Sequence, residues 1–172
     1  MNTDVSRAAP LRSTLPDCTA LRARLEETRL AYHTLVEELS DEEWDSKHTA
    51  TAWTVCELLS HIVDGLAHTP EAIDHVRRGK PFLDFPPVLN RLGHAINYWL
   101  SKWKARGQTR QTVLVRYDTA HQALLNKLES IRDDEWSRGA PCYGEGYKTV
   151  LDLCVLPNRH LEEHATQLAR QK

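Results

Sequence analysis

The chain has 172 residues, with 22 Lys and Arg against 24 Asp and Glu, and its formal net charge is −2. This length suits one domain with a single hydrophobic core. The near balance of charges provides no field that would hold a polyanion, which argues against nucleic-acid binding. No run of 18 apolar residues occurs, so we expect no membrane span and a cytoplasmic protein.

The start of the chain and its cysteines also bear on its organisation. Residues 1–15 are polar and lack the apolar run of a signal peptide, so we expect a flexible lead-in there and a helical domain over residues 16–172. Four cysteines occur without CxxC spacing, which argues against a disulfide framework. We expect Cys56 and Cys154 to act as small buried hydrophobic residues.

Apolar residues recur at helical spacing in five stretches of the chain. Asp17 and Thr54 precede the first two stretches and are suited to cap them. Gly107 ends the third, the fourth begins at about Thr109, and the last begins near Tyr147. No stretch shows the alternation of a strand. The sequence therefore predicts an all-α fold, a four-helix bundle with an additional crossover helix.

Two prolines lie inside predicted helices. A proline removes an intrahelical hydrogen bond, so Thr69-Pro70 predicts a kink or a restart in the second helix. Pro157 predicts a bend in the last helix. Between the fourth and last helices, residues 137–146 are expected to form a loop.

The sequence also contains a weak internal repeat. An acidic segment ending in tryptophan follows both the first and the fourth helix, at residues 40–44 and 132–136. Each is followed by a helix that opens with Thr-Val, at Thr54-Val55 and Thr149-Val150. Two helix pairs related by pseudo-symmetry would produce this pattern. Acidic clusters also mark helix ends in general, which is the alternative explanation.

Three of the nine histidines could share a metal ion. His160 and His164 are separated by one helical turn, so they lie on the same side of the last helix, and His164 falls within its apolar stripe. His61 borders the apolar stripe of the second helix. Three imidazoles from facing helices would leave positions open on the metal, as in catalytic zinc sites. The alternative is that they are unrelated core or boundary histidines.

The other histidines lack partners at ligand spacing. We expect solvated side chains at His33, His48, His94 and His121. His68 and His75 follow His61 at seven-residue steps, but the Thr69-Pro70 break lies between them, so we expect surface or boundary positions for both.

Several segments resemble one known family. They are Leu39-Ser40-Asp41-Glu42-Glu43-Trp44, Trp53-Thr54-Val55, Glu57-Leu58-Leu59-Ser60-His61-Ile62, Asp64-Gly65, His160 and His164. Together they are similar to the DinB-like bundles, particularly the branch that includes the N-terminal domain of mycothiol-dependent maleylpyruvate isomerase. The resemblance implies a metal triad of His61, His160 and His164, with zinc, nickel or manganese as the ion. It also allows a homodimer.

The resemblance, with the chemistry of such a metal, implies a function. A divalent cation removes the proton of a coordinated thiol. We therefore expect a metal-dependent enzyme that activates a small mycothiol-like thiol for S-transfer or isomerisation of a small electrophile, with no nucleic-acid or membrane partner. The alternatives are a metal-dependent hydrolase and a non-catalytic stress or resistance bundle that only binds.

Two carboxylates are further candidates for the site. Glu57 lies one turn before His61, and Glu163 is adjacent to His164. Either could orient an imidazole or relay a proton. The alternative is that both belong to a solvated helix face.

Overall fold

The computed structural model describes residues 15–47, 53–84 and 99–169. Apart from Leu15, the predicted lead-in lies outside these residues, as do His48, His94 and most of the predicted third helix. Five helices are bounded in the described part, and residues 99–105 are also helical. The helices are α1 (Cys18–Glu37), α2 (Asp41–Asp45), α3 (Val55–Val76), α4 (Arg110–Glu129) and α5 (Val150–Ala169). Apart from one short hairpin, the described part of the chain is all-α, as predicted.

The two predicted N-caps are confirmed. The Asp17 carboxylate accepts hydrogen bonds from the backbone N–H groups of Thr19 and Ala20 at the start of α1. Thr54 accepts from the N–H of Glu57, while the Glu57 carboxylate accepts from the N–H of Thr54. This reciprocal capping box satisfies two N–H groups that a helix start leaves unpaired. It therefore fixes where α3 begins.

The short helix α2 is not among the five predicted helices. Ser40 caps it through a second capping box with Glu43. Trp44 is buried, and the guanidinium carbon of Arg110 lies 5.3 Å from the centroid of its ring. A five-residue helix is too short for apolar periodicity to reveal, so only its capping residues signal it.

Ion pairs show that α1 and α4 run antiparallel. Arg22 near the start of α1 reaches Glu129 at the end of α4, with 3.0 Å between nitrogen and oxygen. Arg29, further along α1, reaches Asp118 earlier in α4 at 3.2 Å. As residue numbers rise along α1, the numbers of the paired residues fall along α4, so the two helices point in opposite directions.

By contrast, α3 and α4 run parallel. Asp64 pairs with Arg116 and Asp74 pairs with Lys127, each at 2.7 Å. Parallel neighbours need a long connection, and residues 77–109 provide it. The helical residues 99–105 in this connection lie beside the beginning of α3, where the Cys56 thiol is 3.9 Å from the carbonyl oxygen of Ala105. This arrangement agrees with the predicted crossover helix.

The bundle core contains a pair of stacked tyrosines. The rings of Tyr32 and Tyr117 are 4.1 Å apart between centroids, and the Tyr32 hydroxyl donates to the carbonyl oxygen of Leu59 at 2.9 Å. This bond pairs a hydroxyl that would otherwise be buried without a partner. Cys56 and Cys154 are buried free thiols, as predicted. Other fully buried side chains are Leu25, Val36, Leu58, Val63, Ile73, Leu124 and Leu153.

Neither proline divides its helix. The predicted restart at Thr69-Pro70 is wrong, because α3 continues through Pro70 to Val76. Next to the proline, the Thr69 hydroxyl donates to the carbonyl oxygen of Gly65 at 3.0 Å. Likewise, α5 continues through Pro157.

The predicted loop between α4 and α5 contains a β-hairpin, so the expectation of no strands is wrong there. Strands β1 (Gly139–Pro141) and β2 (Tyr147–Thr149) pair antiparallel, with Gly139 opposite Thr149. Helix α5 begins at Val150, directly after β2. Strands of three residues are too short to display the alternation that identifies them in a sequence.

The two copies of the internal repeat form the same hydrogen-bond arrangement. The N–H of Val55 donates to the carbonyl oxygen of Ser46 at 3.0 Å, and that of Val150 donates to Arg138 at 2.9 Å. Each acceptor lies two residues after the tryptophan of its acidic segment. In each case the threonine before the helix also accepts from the N–H three residues on. The two segments therefore join their helices in the same way.

Candidate metal centre

The three histidines predicted to share a metal ion lie together between α3 and α5. His61 projects from the second turn of α3, and His160 and His164 project from consecutive turns of α5. One ring nitrogen from each can be chosen so that all three atoms lie within 4.8 Å of one another. The Nε2 atoms of His160 and His164 are 3.1 Å apart. This is the one such group of His, Cys, Asp or Glu found among residues 15–47, 53–84 and 99–169.

The three imidazole rings are steeply inclined to one another. The ring of His61 is nearly perpendicular to those of His160 and His164, at 86° and 83°. The corresponding centroid distances are 5.1 and 5.7 Å. The lone pairs of ring nitrogens lie in the ring plane, so the distances between the nitrogens, rather than the ring angles, show which atoms could share an ion.

Burial keeps at least two of the imidazoles neutral. It lowers the pKa of His61 to about 4 and that of His160 to about 3. Repulsion from His164 contributes to both shifts, while Asp64 raises the pKa of His61 in part. A metal ligand must offer an unprotonated nitrogen, and these two side chains do so at neutral pH.

One nitrogen of the cluster is buried without a hydrogen bond. Within the described residues, Nδ1 of His61 has no partner. An unpaired buried polar atom is costly, and native structures rarely keep one without a compensating interaction. Coordination to a cation would provide that interaction, so the donor set fits a divalent metal.

The backbone of α3 leaves room for the ring of His160. A Cβ atom built on Gly65 would lie 3.0 Å from Cε1 and 3.1 Å from Nδ1 of His160. A residue with a side chain at this position would push the imidazole away. On another side of the cluster, the Trp53 ring lies 4.7 Å from the His61 ring between centroids.

Gln167 contacts the cluster, although the sequence analysis did not identify it. Its side-chain oxygen Oε1 lies 2.9 Å from Nδ1 of His164. The two residues are three apart on α5, which places them on the same helix face. That spacing is the signal that could have revealed this contact.

The two predicted carboxylates contact other groups. Glu57 accepts from the Thr54 N–H and lies 3.7 Å from the amino group of Lys102. Glu163 has a side chain that is 61% exposed, and its nearest described partner is Arg159 at 3.6 Å. The described contacts of the three imidazoles include neither carboxylate. A role for Glu57 or Glu163 towards the imidazoles stays a prediction.

Asp64 links α3, α4 and the crossover near the cluster. Its carboxylate is 2.7 Å from Arg116 and 3.4 Å from the amino group of Lys104. Asp64 follows His61 by three residues, so its charge would favour a protonated imidazole. The two cations partly balance that charge, which helps His61 to stay neutral.

Two other histidines differ from the sequence prediction of solvated side chains. His33 Nε2 lies 2.8 Å from Asp118, and His121 is only 4% exposed with its Nε2 atom 3.2 Å from Glu26. Both partners become neighbours only when α1 packs against α4, so spacing along the chain does not reveal them.

His68 and His75 lie at the boundary of the bundle, as predicted. Both side chains are half-buried. Nδ1 of His68 lies 2.7 Å from the carbonyl oxygen of Asp64, and Nδ1 of His75 lies 3.2 Å from that of Pro81. Each ring therefore contacts a backbone carbonyl oxygen rather than the metal cluster.

Comparison with known proteins identifies a family that shares this helical fold. The model of the DinB superfamily matches residues 24–168, a range that includes His61, His160 and His164. The chain belongs to the DinB superfamily. The predicted resemblance to the DinB-like bundles is therefore confirmed, and the helical bundle is a DinB-like fold.

The fold is shared with a solved structure. The structure of an uncharacterised protein from Escherichia coli UTI89 superposes on the present chain with a TM-score of 0.57. The match covers 89% of each chain at 17% sequence identity. At that identity the similarity concerns the fold alone. No curated protein matches the chain. In the part of the chain that the structure describes, no helix is long and apolar enough to cross a membrane.

Proposed function

We propose that this DinB superfamily protein is a divalent-metal-dependent enzyme that activates a small, mycothiol-like thiol to react with a small electrophile. The observation that carries this proposal is the convergence of ring nitrogens from His61, His160 and His164 within 4.8 Å. Imidazole nitrogen suits zinc and nickel, whereas manganese prefers oxygen ligands, so zinc or nickel is the ion that this donor set favours. Three protein ligands leave coordination positions open, which is characteristic of catalytic rather than structural sites.

A thiol is the nucleophile that the family resemblance implies for the open metal positions. When bound, the cation would lower the pKa of a coordinated thiol, whose ordinary value of about 8.5 is already close to neutral. Among the described residues, the hydrogen-bond partner of the cluster outside the triad is the neutral amide of Gln167. Water on the same cation would also ionise, at a pKa of about 7, so an assay with and without thiol separates the two nucleophiles.

Two reactions are compatible with such a thiol. In S-transfer, the sulfur lone pair forms a bond to an electrophilic carbon, the leaving group departs with its bonding electron pair, and the thiol proton goes to solvent. In isomerisation, the sulfur adds to an activated double bond, the resulting single bond rotates, and elimination regenerates the thiol. This chain's residues contribute by holding the donor nitrogens neutral and in place.

A paired assay tests the proposed function. The metal-loaded protein is incubated with small thiols, including mycothiol, and a panel of electrophiles, and thiol consumption and product isomers are measured. The same preparation is offered activated esters without thiol. We expect thiol-dependent turnover that is lost in His164→Ala and retained in His68→Ala, a matched histidine outside the cluster.

Three outcomes would overturn the proposal. Ester hydrolysis without thiol-dependent turnover would instead indicate a metal-dependent hydrolase. Stoichiometric metal without turnover of either panel would indicate a non-catalytic binding bundle. Turnover that survives His164→Ala would show that the reaction takes place elsewhere in the protein.

A further inference from the structure

The contact between Gln167 and His164 has a chemical consequence for the metal cluster. A neutral imidazole carries one proton, on either Nδ1 or Nε2, and the other nitrogen offers a lone pair. Nδ1 of His164 faces the side-chain oxygen of Gln167 at 2.9 Å. Nε2 faces inward, 3.1 Å from Nε2 of His160. Only the tautomer with the proton on Nδ1 presents a lone pair to the cluster.

Gln167 is suited to select that tautomer. Its side-chain oxygen accepts a hydrogen bond, so it stabilises a proton on Nδ1 of His164. Gln167 is half-buried on the same face of α5, which restricts the water that could replace it. Metal-binding histidines generally donate their second N–H to such an acceptor, which fixes the orientation of the ring.

We propose that Gln167 is a positioning residue that holds His164 in the Nδ1-protonated tautomer and so prepares Nε2 to bind the metal. This inference rests on the metal site of the proposed function. It adds a residue outside the triad that determines metal affinity. Gln167 supplies an acceptor without an anionic charge, so a carboxylate there would make His164 a stronger donor.

Substitutions of Gln167 separate its hydrogen bond from its volume. Gln167→Met keeps a similar length but removes the acceptor, so we expect zinc affinity to fall by about tenfold to a hundredfold. Gln167→Glu keeps an oxygen acceptor and adds charge, so we expect affinity equal to or greater than that of the unsubstituted chain. Affinity is measured by zinc titration of the full chain against a competing chelator, with circular dichroism as the check on folding.

The matched control is Gln122→Met on α4. The amide nitrogen of Gln122 donates to Asn126 at 2.8 Å on an exposed surface. The same chemical change there removes a hydrogen bond that does not involve the cluster. We expect its zinc affinity to equal that of the unsubstituted chain.

A second measurement uses the metal-free protein. Nitrogen-15 NMR of the imidazole rings distinguishes protonated from unprotonated ring nitrogens. We expect the proton of His164 on Nδ1 in the unsubstituted chain and in Gln167→Glu, and a mixture of tautomers in Gln167→Met. A purely structural role of Gln167 would leave this signature unchanged.

The outcomes distinguish this inference from the proposed function. If the unsubstituted chain binds no metal, the proposed function fails, while the tautomer measurement still tests Gln167. If metal binds but Gln167→Met retains full affinity, or His164 keeps its tautomer in that variant, the positioning role is overturned by itself. Equal losses in Gln167→Met and Gln167→Glu would also overturn it, because the acceptor oxygen is kept in the second variant.

Discussion

Gly65 and His160 are packed so closely that a side chain at position 65 would require the imidazole ring to shift. A Cβ at position 65 would lie 3.0 Å from one ring carbon of His160 and 3.1 Å from its Nδ1 atom. Glycine in a helix interior is normally unfavourable by about 1 kcal/mol relative to alanine. Its presence at this point of α3 is therefore explained by the ring that lies against it.

Gly65→Ala should affect metal binding and folding stability in opposite directions. The added methyl group displaces the His160 ring by a few tenths of an ångström, and we expect metal affinity to fall by about tenfold, in the range typical of perturbed ligand orientation. The metal-free protein should gain up to about 1 kcal/mol from the better helix former. Zinc titration and urea unfolding measure the two effects. Unchanged affinity would show that the ring can move without cost.

Metal should stabilise the fold by joining α3 to α5. A ligand that binds only the folded state adds about 2.7 kcal/mol at a free concentration one hundred times its dissociation constant. We expect the unfolding temperature to rise with zinc and to return on addition of a chelator. His160→Ala should abolish the increase. An equal increase in that variant would indicate binding outside the triad.

His121 should make stability depend on pH independently of the metal. Burial lowers its pKa from the ordinary value of 6.5, with Arg29 acting in the same direction and Glu26 and Asp118 opposing it. The folded state therefore binds fewer protons than the unfolded state. The contribution of His121 is complete above about pH 6.5 and is lost as the pH falls through the lower folded pKa.

A glutamine at position 121 should flatten this dependence. Between about pH 7 and pH 5, we expect the unfolding free energy of His121→Gln to fall less steeply than that of the unsubstituted chain, by at most about 1.4 kcal/mol per pH unit. Urea unfolding with a chelator present, at several pH values, measures the slopes. Parallel curves would mean that His121 titrates alike in the folded and unfolded states.

Asn158 should contribute to stability through hydrogen bonds that join α5 to α1. Its amide nitrogen lies 3.0 Å from the carbonyl oxygen of Arg24 and 2.6 Å from the Thr28 hydroxyl, and the residue is buried. Removing a buried hydrogen-bonded group costs about 1–3 kcal/mol, so Asn158→Ala should lower the unfolding free energy by that amount. Asn126→Ala on the exposed face of α4 is the control, with an expected change within about 0.5 kcal/mol. Equal effects of the two variants would contradict the buried role.

The sequence was sufficient to predict that the three histidines lie close together, and the reasons are physical. His160 and His164 share a helix face at a spacing fixed by the α-helix, and His61 lies at the edge of an apolar stripe that had to face the core. Their meeting also depended on the family resemblance, because helical periodicity alone does not say which helices pack together.

Several side-chain contacts and the hairpin could not be predicted from the sequence, and the reasons are again physical. Gln167 contacts His164 through a single amide oxygen, and many residue pairs on a helix share their three-residue spacing, so the spacing alone does not single this pair out. His33 and His121 find their acidic partners across the α1–α4 contact, far away in sequence. The hairpin strands have three residues each, and their pairing depends on the turn between them rather than on alternation.

The most direct test of the metal site is the zinc stoichiometry of the purified full chain, compared with that of His61→Ala. This variant keeps the His160–His164 pair on α5 but removes the imidazole that α3 contributes. We predict one tightly bound ion per unsubstituted chain and a loss of tight binding in the variant. Equal, tight stoichiometric binding by both proteins, or no binding by the unsubstituted chain, would contradict a site shared between α3 and α5.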